Sequence, residues 1–175
     1  MKRAVFLDRD GTLMIDKGFV GDPQDVELLP TVVEGLRALT VAGFAKIVVS
    51  NQSGVARGYF TSDAVGRVNA ELRARLQAEG VDVDAFYFCP HYEDGCDCRK
   101  PAIGLLERAA REHGVDVHAG AVIGDRGSDI GLAQNAGVPG VLMPAPQYPY
   151  SGPEPDYRAQ SFLDAARWIV EHVGR

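Results

Sequence analysis

Short apolar runs alternate with stretches of helical spacing along the whole chain. Ala4-Val5-Phe6-Leu7, Lys46-Ile47-Val48-Val49, Ala85-Phe86-Tyr87-Phe88, Ala121-Val122-Ile123 and Gly140-Val141-Leu142-Met143 are near-continuous runs rather than apolar–polar alternations. That pattern predicts strands buried on both faces. Between them, Val32, Val33, Leu36, Leu39 and Ala42 recur at helical spacing before Gly43, and Val65, Val68, Leu72 and Leu76 recur before Gly80, with Thr61 placed as an N-cap. Leu105, Leu106, Ala109 and Ala110 line a helix predicted from Pro101 to Gly114, Ile130 to Ala136 a short one before Gly137, and Ala165, Ile169 and Val173 a last one. Strands alternating with helices of this length imply an α/β fold with a mainly parallel sheet covered on both sides. Two segments lack periodicity: 11–30, too long for an ordinary connection and so expected to be a functional flap, and the proline-rich 144–158.

With 175 residues, no repeat and no low-complexity tract, the expectation is one domain spanning 1–175. There is no run of about 18 apolar residues, and Met1-Lys2-Arg3 leads straight into a strand, so neither a membrane partner nor a signal peptide is expected and the protein should be cytoplasmic. A net charge of −6 without a basic stripe argues against nucleic acid as a partner. All three cysteines fall between positions 89 and 98, which suits a metal site in a reducing compartment better than disulfides.

The chemistry-bearing residues stand just past strands. Asp8 and Asp10, two apart on extended chain, share a face, and such carboxylates at a buried strand end are costly unless a cation compensates. Ser50-Asn51-Gln52-Ser53 follows the second predicted strand, Lys100 the cysteine loop, and Asp125 with Asp129 the fourth strand. Open parallel sheets bind ligands at this end. Asp8, Asp125 and one main-chain carbonyl would supply the oxygen ligands Mg2+ prefers, with Lys100 and Ser50 facing them across a phosphoryl group in transfer.

In their order, Asp-x-Asp-Gly-Thr, Ser-Asn-Gln, Arg-Lys-Pro and Gly-Asp-x-x-x-Asp resemble the four motifs of the haloacid dehalogenase superfamily of phosphohydrolases, over residues 6–129. The resemblance implies a three-layer Rossmann-like fold, with Asp8 as nucleophile forming an aspartyl phosphate and Asp10 as general acid and then base. It further implies that Ser50 and Lys100 stabilise the transferring group, that Mg2+ is held by Asp8, the carbonyl of Asp10 and Asp125, and that Asp129 stands behind these ligands. Phe6–Thr12, Ser50–Gly58, Cys89-Pro90-His91 and Cys96–Pro101 are similar to the branch of heptose bisphosphate and histidinol phosphatases. On that resemblance Cys89, His91, Cys96 and Cys98 close a structural Zn2+ site that staples the loop before Arg99 and Lys100. The spacer from His91 to Cys96 is short for that branch, and Arg126 stands where a lysine is often found; both bear on the substrate.

No interval has room for a large cap domain, so the site should be roofed only by the 11–30 flap and the zinc loop. By resemblance, Asp16, Lys17, Gly18, Phe19, Ser50, Asn51, Gln52, Ser53, Arg57, Arg99, Lys100 and Arg126 would contact a small phosphorylated sugar. The implied reaction is removal of the 7-phosphate of D-glycero-D-manno-heptose 1,7-bisphosphate by a monomeric enzyme, with histidinol phosphate as the alternative substrate. Arg57, Arg99 and Arg126 supply cations that suit a second phosphate. A phospho-accepting receiver would need an acidic pair together on the first strand and an acceptor on the third, where Phe86–Phe88 carry none; a non-catalytic phosphate-binding module would not need the intact acid set. His113, His118 and His172 read as surface or helix positions, and Tyr148, Tyr150, Tyr157 and Trp168 as packing.

Overall fold

The structure is a computed structural model, and it describes residues 1–93 and 95–173. Six parallel strands form one sheet: β1 (Lys2–Leu7), β2 (Ala45–Asn51), β3 (Ala85–Cys89), β4 (Val115–Gly124), β5 (Gly140–Leu142) and β6 (Tyr157–Arg158), in the order β3-β2-β1-β4-β5-β6. Five α-helices connect or follow them: α1 (Val32–Val41), α2 (Ser62–Ala78), α3 (Gly104–His113), α4 (Gly127–Ala136) and α5 (Phe162–His172).

The apolar runs bury both faces. Val5, Leu7, Val48, Ala121 and Ile123 pack with α1, α2 and α5 on one side, while Ala4, Phe6, Ile47, Val49 and Val122 pack with α3 and α4 on the other. Successive strand residues point to opposite faces, so one short run serves two layers. The structure departs from the sequence expectation most at α3, β4 and β6. α3 begins at Gly104, not Pro101, because Asp97 O accepts from Gly104 N at 2.9 Å and holds the preceding residues in a turn. β4 extends back to Val115, pairing Lys2 with Val115 beyond an irregularity at Arg3/Val5, where no continuous apolar run announces a strand. β6 lies inside the proline-rich segment; its two residues pair with Val141 and Leu142, contacts that only a neighbouring strand can define.

The 11–30 flap is anchored rather than loose. Leu13, Met14, Val20 and Val26 are buried in the core, Ile15 N donates to Glu27 O at 2.8 Å and Leu29 N to Leu13 O at 3.1 Å. From β1 the chain winds outward through β2 to β3, and the later strands β4 to β6 wind the opposite way. The crevice at the carboxyl ends of β1 and β4 is therefore the topological switch point, where ligands bind in open sheets of this kind.

Candidate active site

Asp8 follows β1 directly, and its N–H donates to Ile123 O at 2.9 Å, so the tips of β1 and β4 are tied together at the crevice. Asp125 follows β4. Gly11, at φ 81°, turns the chain so closely past Asp125 that a Cβ there would lie 2.3 Å from its Oδ2; only glycine meets both demands. Oxygens of Asp8, Asp125 and Asp129 gather within 4.8 Å of one another.

Lys100 stands among these acids at 4% exposure, and its Nζ donates to Asp8 Oδ1 (2.7 Å), Asp129 Oδ1 (2.6 Å) and Val49 O (2.8 Å). Burial opposes its charge, but Asp129 and Asp8 outweigh that and hold it protonated. Asn51 fixes the lysine's main chain: its Nδ2 donates to Lys100 O at 3.1 Å and its Oδ1 accepts from Lys100 N at 2.9 Å. Burial raises the pKa of Asp8 against the pull of Lys100, and raises that of Asp10 against the pull of Arg9. Asp125 is pushed up to about 8 by burial and by the charges of Asp8 and Asp129. Neither of its oxygens has a hydrogen-bond partner among the described residues, although Arg126 Nε stands 3.3 Å from Oδ2. A buried carboxylate in that condition, beside a second one, fits a hard divalent cation such as Mg2+. Asp129 is otherwise engaged, accepting from Lys100 and, at 3.0 Å, from Arg126 N.

Asp10 is gripped by Arg9, whose Nε and Nη2 donate to its two oxygens at 3.1 and 3.2 Å, and by Gln52 Nε2 at 2.9 Å. Arg9 is fully buried; its Nη1 donates to Asn69 Oδ1 on α2 at 2.9 Å and its Nη2 to Val20 O in the flap at 3.4 Å. Ser50, at the end of β2, is buried with its Oγ accepting from Gln52 Nε2 at 3.3 Å.

A cavity over this floor is lined by Asp8, Asp10, Asp125 and Lys100, by Asp16, Gly18 and Phe19 of the flap, by Asn51, Gln52 and Ser53, and by Arg126. These are sequence candidates brought together from five separate stretches. Among the described residues Lys17, Ser50, Arg57 and Arg99 fall outside the lining; Ser50 is buried, with its Oγ engaged by Gln52. Lys17 pairs with Glu27 at 3.4 Å. Arg57 lies at the rim, 3.5 Å from the Tyr92 ring centroid and 5.5 Å from that of Phe19, and Arg99 lies 5.7 Å from the same Tyr92 centroid. The lining also includes Ser128 and Tyr148, and Tyr148 is thus more than packing. Arg9 and Asn69 carried a legible signal: a cation between two acids at a strand tip, and an amide on the apolar stripe of α2. Tyr148 carried none.

At the end of β3 the sulfurs of Cys89, Cys96 and Cys98 lie 3.1–3.6 Å apart, with His91 Nδ1 at 3.5 and 3.3 Å from Cys89 and Cys98. Burial works against ionisation of Cys96, but hydrogen bonds led by Cys98 outweigh it and bring the thiol down to about 6; burial and the neighbouring thiols push Cys98 up. Three sulfurs and one imidazole nitrogen at mutual contact distance match the corners of a tetrahedral zinc centre.

A model of the HAD-hydrolase-like family matches residues 97–165. The D-glycero-beta-D-manno-heptose-1,7-bisphosphate 7-phosphatase of Pasteurella multocida is 37% identical over 82% of each chain. The protein of the same name from Haemophilus influenzae is 35% identical over 95% of this chain and 96% of its own. Among solved structures, a D,D-heptose 1,7-bisphosphate phosphatase from B. bronchiseptica complexed with magnesium and phosphate superposes with a TM-score of 0.85 at 29% identity, covering 98% of this chain and 99% of that one.

Proposed function

Because the chain belongs to the haloacid-dehalogenase-like family of heptose-1,7-bisphosphate 7-phosphatases, we propose that it is a Mg2+-dependent phosphatase acting on the 7-phosphate of D-glycero-D-manno-heptose 1,7-bisphosphate. The observation that carries the reading is the pair of buried Asp125 oxygens that have no hydrogen-bond partner among the described residues, beside an Asp8 held by Lys100. Asp8 attacks phosphorus, forming a carboxylate–phosphorus bond as the bond to the sugar oxygen breaks. Asp10, held in line by Arg9 and Gln52 and raised in pKa by burial, gives its proton to the leaving alkoxide. Asp10 then takes a proton from the water that attacks the same phosphorus, which releases phosphate and regenerates the Asp8 carboxylate. Lys100 steadies the phosphoryl oxygens; the Ser50 hydroxyl, outside the cavity lining and accepting from Gln52, has to turn toward them to do the same. Asp8, the Asp10 carbonyl and Asp125 would hold Mg2+, which when bound would supply the positive charge that offsets repulsion between an anionic ester and an anionic nucleophile.

Arg57 and Arg99 favour a bisphosphate over histidinol phosphate. Arg57 stands against Phe19 of the lining and against Tyr92, and Arg99 near Tyr92 with its Nη1 donating to His91 O at 3.1 Å; among the described residues neither has a carboxylate in ion-pair range, so each is a charge available to a distal phosphate. In this reading Cys89, His91, Cys96 and Cys98 hold a Zn2+ that fixes the loop carrying Arg99 and Lys100, and the chain works as one cytoplasmic domain. No helix among the described residues is long and apolar enough to cross a membrane.

The test compares turnover of the heptose bisphosphate, histidinol phosphate and p-nitrophenyl phosphate with added Mg2+, beside Asp8→Asn. Preference for the bisphosphate and loss of all turnover in the variant are expected. Preference for histidinol phosphate overturns the substrate, and an active, clean Asp8→Asn preparation overturns the nucleophile.

A further inference from the structure

The arginine at the fourth strand tip differs from those at the rim. Arg126 Nη2 donates to Asp16 Oδ2 at 3.0 Å, its Nε stands 3.3 Å from Asp125 Oδ2, and its guanidinium carbon sits 3.5 Å from the centroid of the Tyr148 ring. Asp16 pairs directly with this guanidinium, which leaves it less charge to offer a phosphate dianion, and a dianion there would meet Asp16 as well. The guanidinium still carries five N–H donors in a rigid fork, suited to neutral oxygens. Tyr148 lines the cavity and comes from the proline-rich loop after β5. That loop is pinned beside Arg126: a Cβ on Gly127 would lie 2.0 Å from Ser151 O and 2.9 Å from Gly152 Cα, and Tyr150 Oη donates to Pro153 O.

Building on the phosphatase reading above, we propose that Tyr148 is a positioning residue for substrate specificity: it holds Arg126 at the cavity mouth so that the guanidinium hydrogen-bonds hydroxyl groups of the sugar skeleton, leaving the distal phosphate to Arg57 and Arg99. The chemistry recognised is a polyol chain. The phosphate being removed and the one retained both lie outside this contact.

Steady-state kinetics of Tyr148→Ala and Tyr148→Phe on the full chain test it, with heptose 1,7-bisphosphate, heptose 7-phosphate and p-nitrophenyl phosphate as the three esters. For Tyr148→Ala, KM rises on the order of tenfold, the scale of a partly desolvated cation–π contact, and by the same factor for both heptose esters. The rise is smaller for the nitrophenyl ester, which has no hydroxyls. Tyr148→Phe keeps the stacking ring and restores the wild-type KM. A larger loss on the bisphosphate than on the monophosphate puts Arg126 on the distal phosphate and overturns the proposal. Equal losses on all three esters make Tyr148 merely structural and overturn it too, as does an unchanged KM. Wild-type turnover of the nitrophenyl ester alone, with neither heptose ester consumed, overturns the substrate reading and this inference together; the other contrary results, with an active wild type, overturn this inference only.

Discussion

Asp125 concentrates the cost of the site in one residue. Burial and two neighbouring carboxylates raise it from an ordinary 3.8 to about 8, and the chain admits it only because Gly11, at φ 81°, brings no side chain into its space. Gly124 plays the same part for Asp129, whose Cγ would lie 2.2 Å from an added Cβ. The raised value has a consequence for stability with a definite sign. Between the unfolded and folded values Asp125 is protonated when folded and charged when unfolded, so unfolding releases a proton. Chelated protein is therefore expected to lose, as pH climbs toward about 8, stability that it holds in full below 3.8. Mg2+ should raise the melting temperature more at the upper end of that range than at the lower. Thermal melts of Asp125→Asn beside the wild type, with and without Mg2+, check this: the variant should lose both this contribution to the pH slope and most of the Mg2+ response.

Among the elements, α1 and α5 show how close approach sets residue choice. Gly35 of α1 meets the buried Phe162 ring of α5, and a Cβ there would sit 2.4 Å from Cδ1 and 3.1 Å from the Phe162 carbonyl oxygen. Gly35→Ala gains about 1 kcal/mol of helix propensity, but overpacking against a fully buried ring costs roughly 1–3 kcal/mol. A net loss of stability is expected, read as a lower urea midpoint; an equal or higher midpoint would mean that α5 can give way. The cysteine loop poses the opposite problem, because it has few apolar anchors and yet delivers Lys100. If zinc is its staple, stripping the metal should lower kcat/KM several-fold and speed amide exchange around Cys89, Cys98 and Lys100, with both effects reversed by added Zn2+. Full activity and unchanged exchange in zinc-free protein would refute the staple.

Over the whole molecule, the winding of the sheet brings the chemistry together. Asp8, Lys100 and Asp125 are far apart along the chain, but parallel strands send all their carboxyl ends to one edge, and the reversal between β1 and β4 opens a crevice there. The cavity is walled by the flap, by the turn after β2, by Lys100 behind the cysteine loop, and by the proline-rich loop. The contacts differ in kind: carboxylates and a lysine on the floor, Arg126 against Tyr148 beside the tip of β4, and, outside the lining, Arg57 and Arg99 about Tyr92. On the proposed reading, that division of labour is what would distinguish a hydroxylated bisphosphate from a simple ester.

By itself the chain's pattern determined the layered architecture, since short apolar runs alternating with stretches of helical spacing read as strands covered on both sides, and it placed the acids, because the four motifs fall where those strands end. The cysteine cluster was legible because its members are near one another in sequence. Only the tertiary structure decided what depends on partners distant along the chain. It alone brought Tyr148 from a proline-rich loop onto Arg126, paired two residues as β6, joined Asn69 through Arg9 to Asp10, and separated a guanidinium paired with Asp16 from two that, among the described residues, have no carboxylate in ion-pair range. Local pattern encodes burial and turn, whereas charge compensation and stacking are properties of which surfaces meet, and no window of sequence contains both sides of such a contact.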